Sequence, residues 1–246
     1  MKVTAILATC GRHTLLERSV GMYIQQDYTG ESALLIYNNS NISLNLDPNL
    51  SLPPGKEIFL FNMHLDSKTG ERYNNLGSIY NDVLQYVPED TEIIYHNDDD
   101  DLFLPNHISE GVKGFKRGSK LAYKPAKSYF RHAGGVTLMA NTLEPSIFVD
   151  YEHIKKYGYS ETTSDQHLQW VNPLVYGGNI FVDENGPATL IYNWGDTNIP
   201  TFKTSGNAGD PKNFDNYRNF SQDHGDRVIT PWNRSQLQPY YDLVNA

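Results

Sequence analysis

The chain has 246 residues, a net charge of −9 at pH 7 and a single cysteine, Cys10. The length suits one large domain, and the acidic balance argues against a general nucleic-acid binder, which needs clustered Lys and Arg to meet phosphates. A lone cysteine excludes an internal disulfide and makes a cytoplasmic setting the expectation. No apolar run approaches the roughly 18 residues that a membrane-spanning helix needs.

Residues 3–8 form a short apolar run ended by Thr9-Cys10-Gly11-Arg12, the pattern of a buried strand entering a turn rather than of a signal peptide. Leu15, Leu16, Val20, Met22, Tyr23 and Ile24 then fit an amphipathic helix over 14–26. A second strand is expected at 34–37, closed by Asn38-Asn39-Ser40, with loop from 38 to 55 and a third strand at 58–61. Leu76, Ile79, Tyr80, Val83 and Leu84 predict a helix over 76–86 that Pro88 ends, and 92–96 reads as a fourth strand. Such alternation indicates an α/β fold with a mixed, largely parallel sheet flanked by helices, whose ligands bind at the carboxyl ends of the strands. The turn at 9–12 and the acidic run Asp98-Asp99-Asp100-Asp101 both fall at that edge.

The second half is less regular. Short strands are expected at 121–123, 136–140 and 188–192, and a helix over 165–171. Residues 194–227 are rich in Gly, Asn, Asp and Pro, a composition and length that suit a lid over an active site. Residues 111–143 contain no Asp or Glu but hold Lys113, Lys116, Arg117, Lys120, Lys124, Lys127 and Arg131. That stretch is either a solvated helix face with a loop or a surface for an anionic acceptor.

Four consecutive aspartates repel one another unless something neutralises them. Hard divalent cations do so, taking oxygen ligands from one or two carboxylates and from substrate phosphates. On an extended segment Asp98 and Asp100 would point to the same side. The alternative is an exposed acidic turn that caps the next helix.

The segment His96-Asn97-Asp98-Asp99-Asp100-Asp101-Leu102-Phe103-Leu104-Pro105 resembles the DxD region of family 2 glycosyltransferases. Residues 6–20 are similar to that family's first strand, turn and helix, Gln25-Gln26-Asp27-Tyr28 to its helix end, and Tyr80-Asn81-Asp82-Val83-Leu84 to its Arg-Asn-x-x-Leu segment. The resemblance covers the first 110 residues well and the rest thinly. It implies a GT-A-like, Rossmann-type fold in one domain, with donor binding in 1–110 and acceptor binding in 111–246. It further implies that Thr9 and Arg12 contact the nucleotide or its diphosphate, and that Asn38 faces the base where many members carry Asp. Asn81 and Asp99 would join the nucleotide-sugar side, Asp98 would lie against the ribose, and Asp100 would bind Mn²⁺ or Mg²⁺. The donor would be a UDP-sugar by preference; the acceptor hydroxyl would belong to a glycan, a protein or a modified base in DNA.

Inverting members also need a carboxylate base within hydrogen-bond reach of the acceptor hydroxyl. Residues 159–168 resemble the segment that carries it, with Asp165 the first choice and Glu161 the substitute. Helix capping explains Ser164 or Asp165 equally well. His96, His107, His132, His153 and His167 show no zinc-type spacing; His224, within the expected lid, is a candidate to complete the metal shell. Trp194 is the best stacking candidate beside Trp170 and Trp232. Cys10 reads as a buried or site-lining thiol. The rival readings are a metal-dependent nucleotidyltransferase and a non-catalytic carbohydrate- or calcium-binding module, while the absence of Walker-type and Gly-x-Gly-x-x-Gly sequences argues against P-loop ATPases and dehydrogenases.

Overall fold

A computed structural model of the protein describes residues 1–10, 12–40, 42–132, 135–141, 144–162, 165–193 and 226–244. Strands β1 (Val3–Thr9) and β2 (Ser32–Asn38) are buried at every position, as strands covered on both faces must be. Their alternation divides the core in two. Ile6, Ala8, Leu35 and Tyr37 face one side, and Ala5, Leu7, Leu34 and Ile36 the other. Helix α1 (His13–Ile24) lays Leu16, Val20 and Tyr23 on the second side. After β3 (Leu44–Leu46) and β4 (Lys56–Asn62), helix α2 (Leu76–Val83) packs Ile79, Tyr80 and Val83 on the first. A 3-10 turn, Leu84–Tyr86, continues α2 to the end that Pro88 imposes, and β5 (Ile93–His96) follows.

The chain continues through β6 (Leu102–Phe103), α3 (His107–Gly118), β7 (Ala122–Pro125), β8 (Lys127–His132) and β9 (Gly135–Ala140). A 3-10 turn, Glu144–Ser146, leads to β10 (Phe148–Asp150), α4 (Tyr151–Tyr157) and α5 (Leu168–Tyr176). Strands β11 (Ile180–Asp183), β12 (Leu190–Asn193) and β13 (Arg227–Ile229) and helix α6 (Arg234–Tyr241) complete it.

The main sheet has the order β11-β7-β10-β5-β1-β2-β4. Strands β5, β1, β2 and β4 run parallel, while β10 is antiparallel to both β5 and β7. From β1 the chain steps outward to β2 and β4 on one side, then returns to place β5 on the other. The crevice between the ends of β1 and β5 is therefore the switch point where such sheets bind ligands. A second sheet, β6-β12-β8-β9, stands beyond it, and β13 pairs with β3.

The expected strands and helices of the first half are present, and β3 adds a strand inside the expected 38–55 loop. Later, the helix expected from 165 begins at Leu168, and β8, β10, α4 and β11 had no forecast. The cause is visible in β10: three residues, buried between two antiparallel neighbours, are too few to display a period. The expected lid, with Trp194 and His224, lies outside the described residues, save Asp226 and Arg227 at its end.

Helix α6 closes back on α1. Asn233 and Gln236 form a capping box at its start, and Leu237 and Tyr241 join Met22, Leu102, Leu104 and Ile191 in a small third core. Among the described residues no helix is long and apolar enough to cross a membrane.

Candidate active site

Strand β5 ends at His96, and the acidic run begins two residues later, over the end of β1. The run is a turn, not an extended segment, because the Asp101 amide returns to the Asp98 carbonyl at 3.2 Å. Alternation along a strand is thus the wrong reason for pairing Asp98 with Asp100. The turn brings Asp98, Asp100 and Asp101 together instead, each offering a carboxylate oxygen within 4.8 Å of the others. Asp101 belongs to this cluster and caps no helix: it is fully buried, accepts the Asn193 amide at 3.0 Å, and α3 starts only at His107.

Asp99 points the other way. Its carboxylate accepts from Thr9 Oγ1 at 2.7 Å and from the Arg12 guanidinium, and Arg12 also donates to Asp100 Oδ2 at 3.2 Å. Arg18, equally buried, donates to the Asp99 carbonyl at 3.3 Å and lies under the Tyr240 ring. Burial pushes the Asp99 carboxyl up to about 6; Asp100 adds to this, while Arg12, Thr9 and Arg18 oppose it. The turn at 9–12 therefore carries the cation and hydroxyl that hold the acidic turn in place.

On the outer side Tyr80 of α2 donates to Asp98 Oδ1 at 3.2 Å. Asn81, the next residue, pairs both ways with the backbone of Tyr159, at 2.9 and 2.8 Å. Gly77 makes this docking possible, since a Cβ there would collide with the Ser160 carbonyl. Asn38 is fully buried. Its amide donates to Ile42 O at 2.6 Å and Asn62 Oδ1 at 2.8 Å and accepts from Ser40 Oγ at 2.8 Å, so it shapes the loop beside β1.

The expected bases are both exposed. Glu161 pairs with Lys68 at 3.0 Å on the rim of a groove of about 620 Å³ that Asn81, Tyr151, Tyr157 and Gln169 also line. Asp165 precedes α5 and adds to the negative field around His167. His167 and Glu144 were not singled out for this site from the sequence, yet Glu144 Oε2 stands 2.7 Å from His167 Nδ1. Burial works against a charged His167, but Glu144, Asp165 and Asp98 outweigh it and raise its pKa. His96 is different. Burial lowers its pKa despite Glu144 at 3.4 Å, so it is a neutral ring, 2.8 Å from the Tyr159 hydroxyl and stacked on Trp170. No spacing signal foretold the Glu144–His167 pair, because its members are 23 positions apart on different elements.

A second groove, of about 530 Å³, is lined by Arg131, Trp232, Gln236, Pro239, Tyr240 and Leu243. It adjoins the acidic run through Arg131, which reaches Asn193 Oδ1 at 3.5 Å, and through Tyr240 over Arg18. Cys10 is buried at the head of the first turn.

Three close carboxylates are a hard oxygen donor set, and the residues present fit a Mg²⁺ or Mn²⁺ that keeps further positions for water or phosphate. No protein-family model and no curated protein matches the chain. Solved structures do. The chain is similar to residues 1–349 of S. aureus TarS with UDP, at 14% identity and TM-score 0.57 over 78% of this chain and 60% of that one. The same TarS fragment with UDP-GlcNAc matches at 13% identity and TM-score 0.58, over 78% and 58%. The mannosyltransferase PcManGT from Pyrobaculum calidifontis, with GDP-Man and Mn²⁺, matches at 13% and TM-score 0.56, over 79% and 57%. The chain thus spans 57–60% of the length of these structures. At such identity the likeness establishes the fold, which is GT-A-like.

Proposed function

We propose that the chain is a metal-dependent glycosyltransferase that moves a sugar from a nucleoside-diphosphate sugar, a UDP-sugar by preference, to an acceptor hydroxyl. The observation that carries this reading is the convergence of Asp98, Asp100 and Asp101 at the switch point of a GT-A-like sheet. Complexes of similar structures with UDP, UDP-GlcNAc and GDP-Man support the donor class, and the Mn²⁺ beside GDP-Man supports the cation.

Asp100 would hold Mn²⁺ or Mg²⁺, joined by Asp101, with Asp98 shared between that shell and the ribose. Bound there, such an ion offsets charge on the departing diphosphate. The chain's own part is to hold geometry and move one proton. Thr9, Arg12 and Arg18 fix the acidic turn, so the carboxylates are in place before donor arrives. Asp165 takes the proton of the acceptor hydroxyl. The hydroxyl oxygen forms its bond to the sugar's anomeric carbon while that carbon's bond to the diphosphate breaks, and the electron pair leaves with the nucleoside diphosphate. Attack from the face opposite the leaving group inverts the centre.

Residues 1–110 would form the donor half and 111–246 the acceptor half of one catalytic domain. The aromatic groove with Arg131 suits a sugar acceptor carrying negative charge, stacked on Trp232 or Tyr240. The test is UDP release from UDP-GlcNAc with Mn²⁺, for the wild type and Asp100→Ala. Loss of a metal ligand should lower the rate at least ~100-fold, the equivalent of about 3 kcal/mol. Equal rates would sink the assignment, and pyrophosphate released from a nucleoside triphosphate would favour nucleotidyl transfer instead.

A further inference from the structure

Glu144, His167 and His96 come from three separate elements: the 3-10 turn before β10, the head of α5 and the end of β5. They meet beside Asp98 although nothing in their sequence neighbourhoods joins them. Glu144 has only 13% of its side chain exposed, and its two oxygens are divided, one 2.7 Å from His167 Nδ1 and the other 3.4 Å from His96 Nε2. His96 in turn meets the Tyr159 hydroxyl, and Tyr159 stacks against Tyr80, which donates to Asp98. One connected set of side chains thus runs from the acidic turn to the residue that immediately precedes α5. His167 stands two positions after Asp165, on the turn that Leu168 N closes to Asp165 O at 3.1 Å.

We propose that Glu144 is a positioning residue for the transfer reaction: its ion pair with His167 fixes the head of α5, and with it Asp165, at a set distance from the acidic turn. This rests on the glycosyltransferase reading above. Glu144 takes no part in bond making. Asp165 accepts the proton from the attacking oxygen, the anomeric carbon exchanges its diphosphate oxygen for that oxygen, and the nucleoside diphosphate departs with the electron pair. The groups that face His167 are Glu144, Asp165 and Asp98, all acidic, and the neutral His96. The pair with Glu144, helped by the fields of Asp165 and Asp98, raises the His167 pKa and so strengthens its hold on Glu144. Without Glu144, His167 loses its nearest acidic partner, and the head of α5 is tied to the strand side through Trp170 stacked on His96.

The experiment uses the full chain with UDP-GlcNAc and Mn²⁺, water serving as acceptor, and reads UDP release from pH 5 to 9. Glu144→Gln keeps the shape and removes the charge. It should lower kcat about tenfold and leave KM for UDP-GlcNAc within twofold. His167→Gln should do the same, and the double variant should be no slower than either single one, because two residues acting as a unit are non-additive. Glu144→Asp, which restores the charge on a shorter arm, should recover part of the rate. An unchanged kcat in Glu144→Gln would overturn the inference, as would multiplicative losses in the double variant. A loss confined to thermal stability, with kcat intact, would mark Glu144 as structural only and overturn it as well. Mn²⁺-dependent UDP binding separates the two levels: if the wild type lacks it, the transferase reading fails first, and if it persists while Glu144→Gln turns over normally, only this inference fails.

Discussion

The two halves of the molecule are built by different rules. Up to β5 the strands of the main sheet follow one another through returns to parallel neighbours, so their apolar runs are local; β3, which pairs with β13, is the exception. After α3, among the described strands, only β8 and β9 pair as immediate neighbours, while β11 pairs with β7, and β12 with both β6 and β8. The first half ends in a rigid edge that presents the acidic turn. The second half adds single groups around it: the Asn193 backbone N–H bonds Asp101, and the Glu144–His167 pair stands nearby. Precision in the first half thus comes from the sheet, and in the second from individual hydrogen bonds and ion pairs.

Arg12 offers the largest way to break that contrast. It is the chief counter-charge to Asp99, which is fully buried, and removing one partner of a buried pair costs about 3–5 kcal/mol. Arg12→Met should lower the urea midpoint accordingly, and Arg12→Met with Asp99→Asn should recover much of the loss; an exposed-type effect under 1 kcal/mol would show that the turn is not held this way. Gly77 lies at the seam between the halves. Gly77→Ala forces a methyl group into the Ser160 carbonyl, and overpacking of this kind costs about 1–3 kcal/mol. Thermal unfolding should register it, together with weakened turnover as Tyr159 shifts.

A pH test addresses the join between the halves, where His107 at the head of α3 meets Thr189 Oγ1 at 2.9 Å. Burial pushes His107 down to about 3, so the folded chain stays unprotonated there while the unfolded chain gains a proton below its ordinary value of 6.5. A depressed folded pKa gives stability that is complete above 6.5 and is lost as pH falls toward 3, at about 1.4 kcal/mol per pH unit. His107→Phe should flatten the fall in unfolding free energy between pH 7 and 5; an unchanged slope would exclude His107 as its source. The smallest effect is expected at Glu161, whose pair with Lys68 is more than half exposed on both sides. Glu161→Gln should change stability by less than about 1 kcal/mol and leave the rate of UDP release intact if Asp165 is the base.

How far the sequence carried can be followed residue by residue. Residues 3–8 and 34–37 announced their strands because both faces are buried and nearly every position is apolar. The place of the acidic run at the sheet's carboxyl edge was legible for the same reason. Its inner geometry was not, since a turn rather than a strand joins Asp98 to Asp100, and that turn depends on Arg12 and Arg18 from another segment. Asn38 was expected at the base, and its hydrogen bonds to Ile42, Asn62 and Ser40 commit it to the loop that flanks the site. Glu144 sits in a three-residue 3-10 turn with no periodic neighbour, so only the folded chain reveals what it meets.

The central claim is that the acidic turn holds a divalent cation together with a nucleoside diphosphate. Thermal unfolding of the wild type and of Asp100→Ala, with UDP and with or without Mn²⁺, tests it most directly, because a ligand bound only by the folded state raises the unfolding temperature. The account predicts a rise in the wild type that requires both UDP and Mn²⁺ and is absent in Asp100→Ala. A rise with UDP that is indifferent to Mn²⁺, or one that survives in Asp100→Ala, would contradict it.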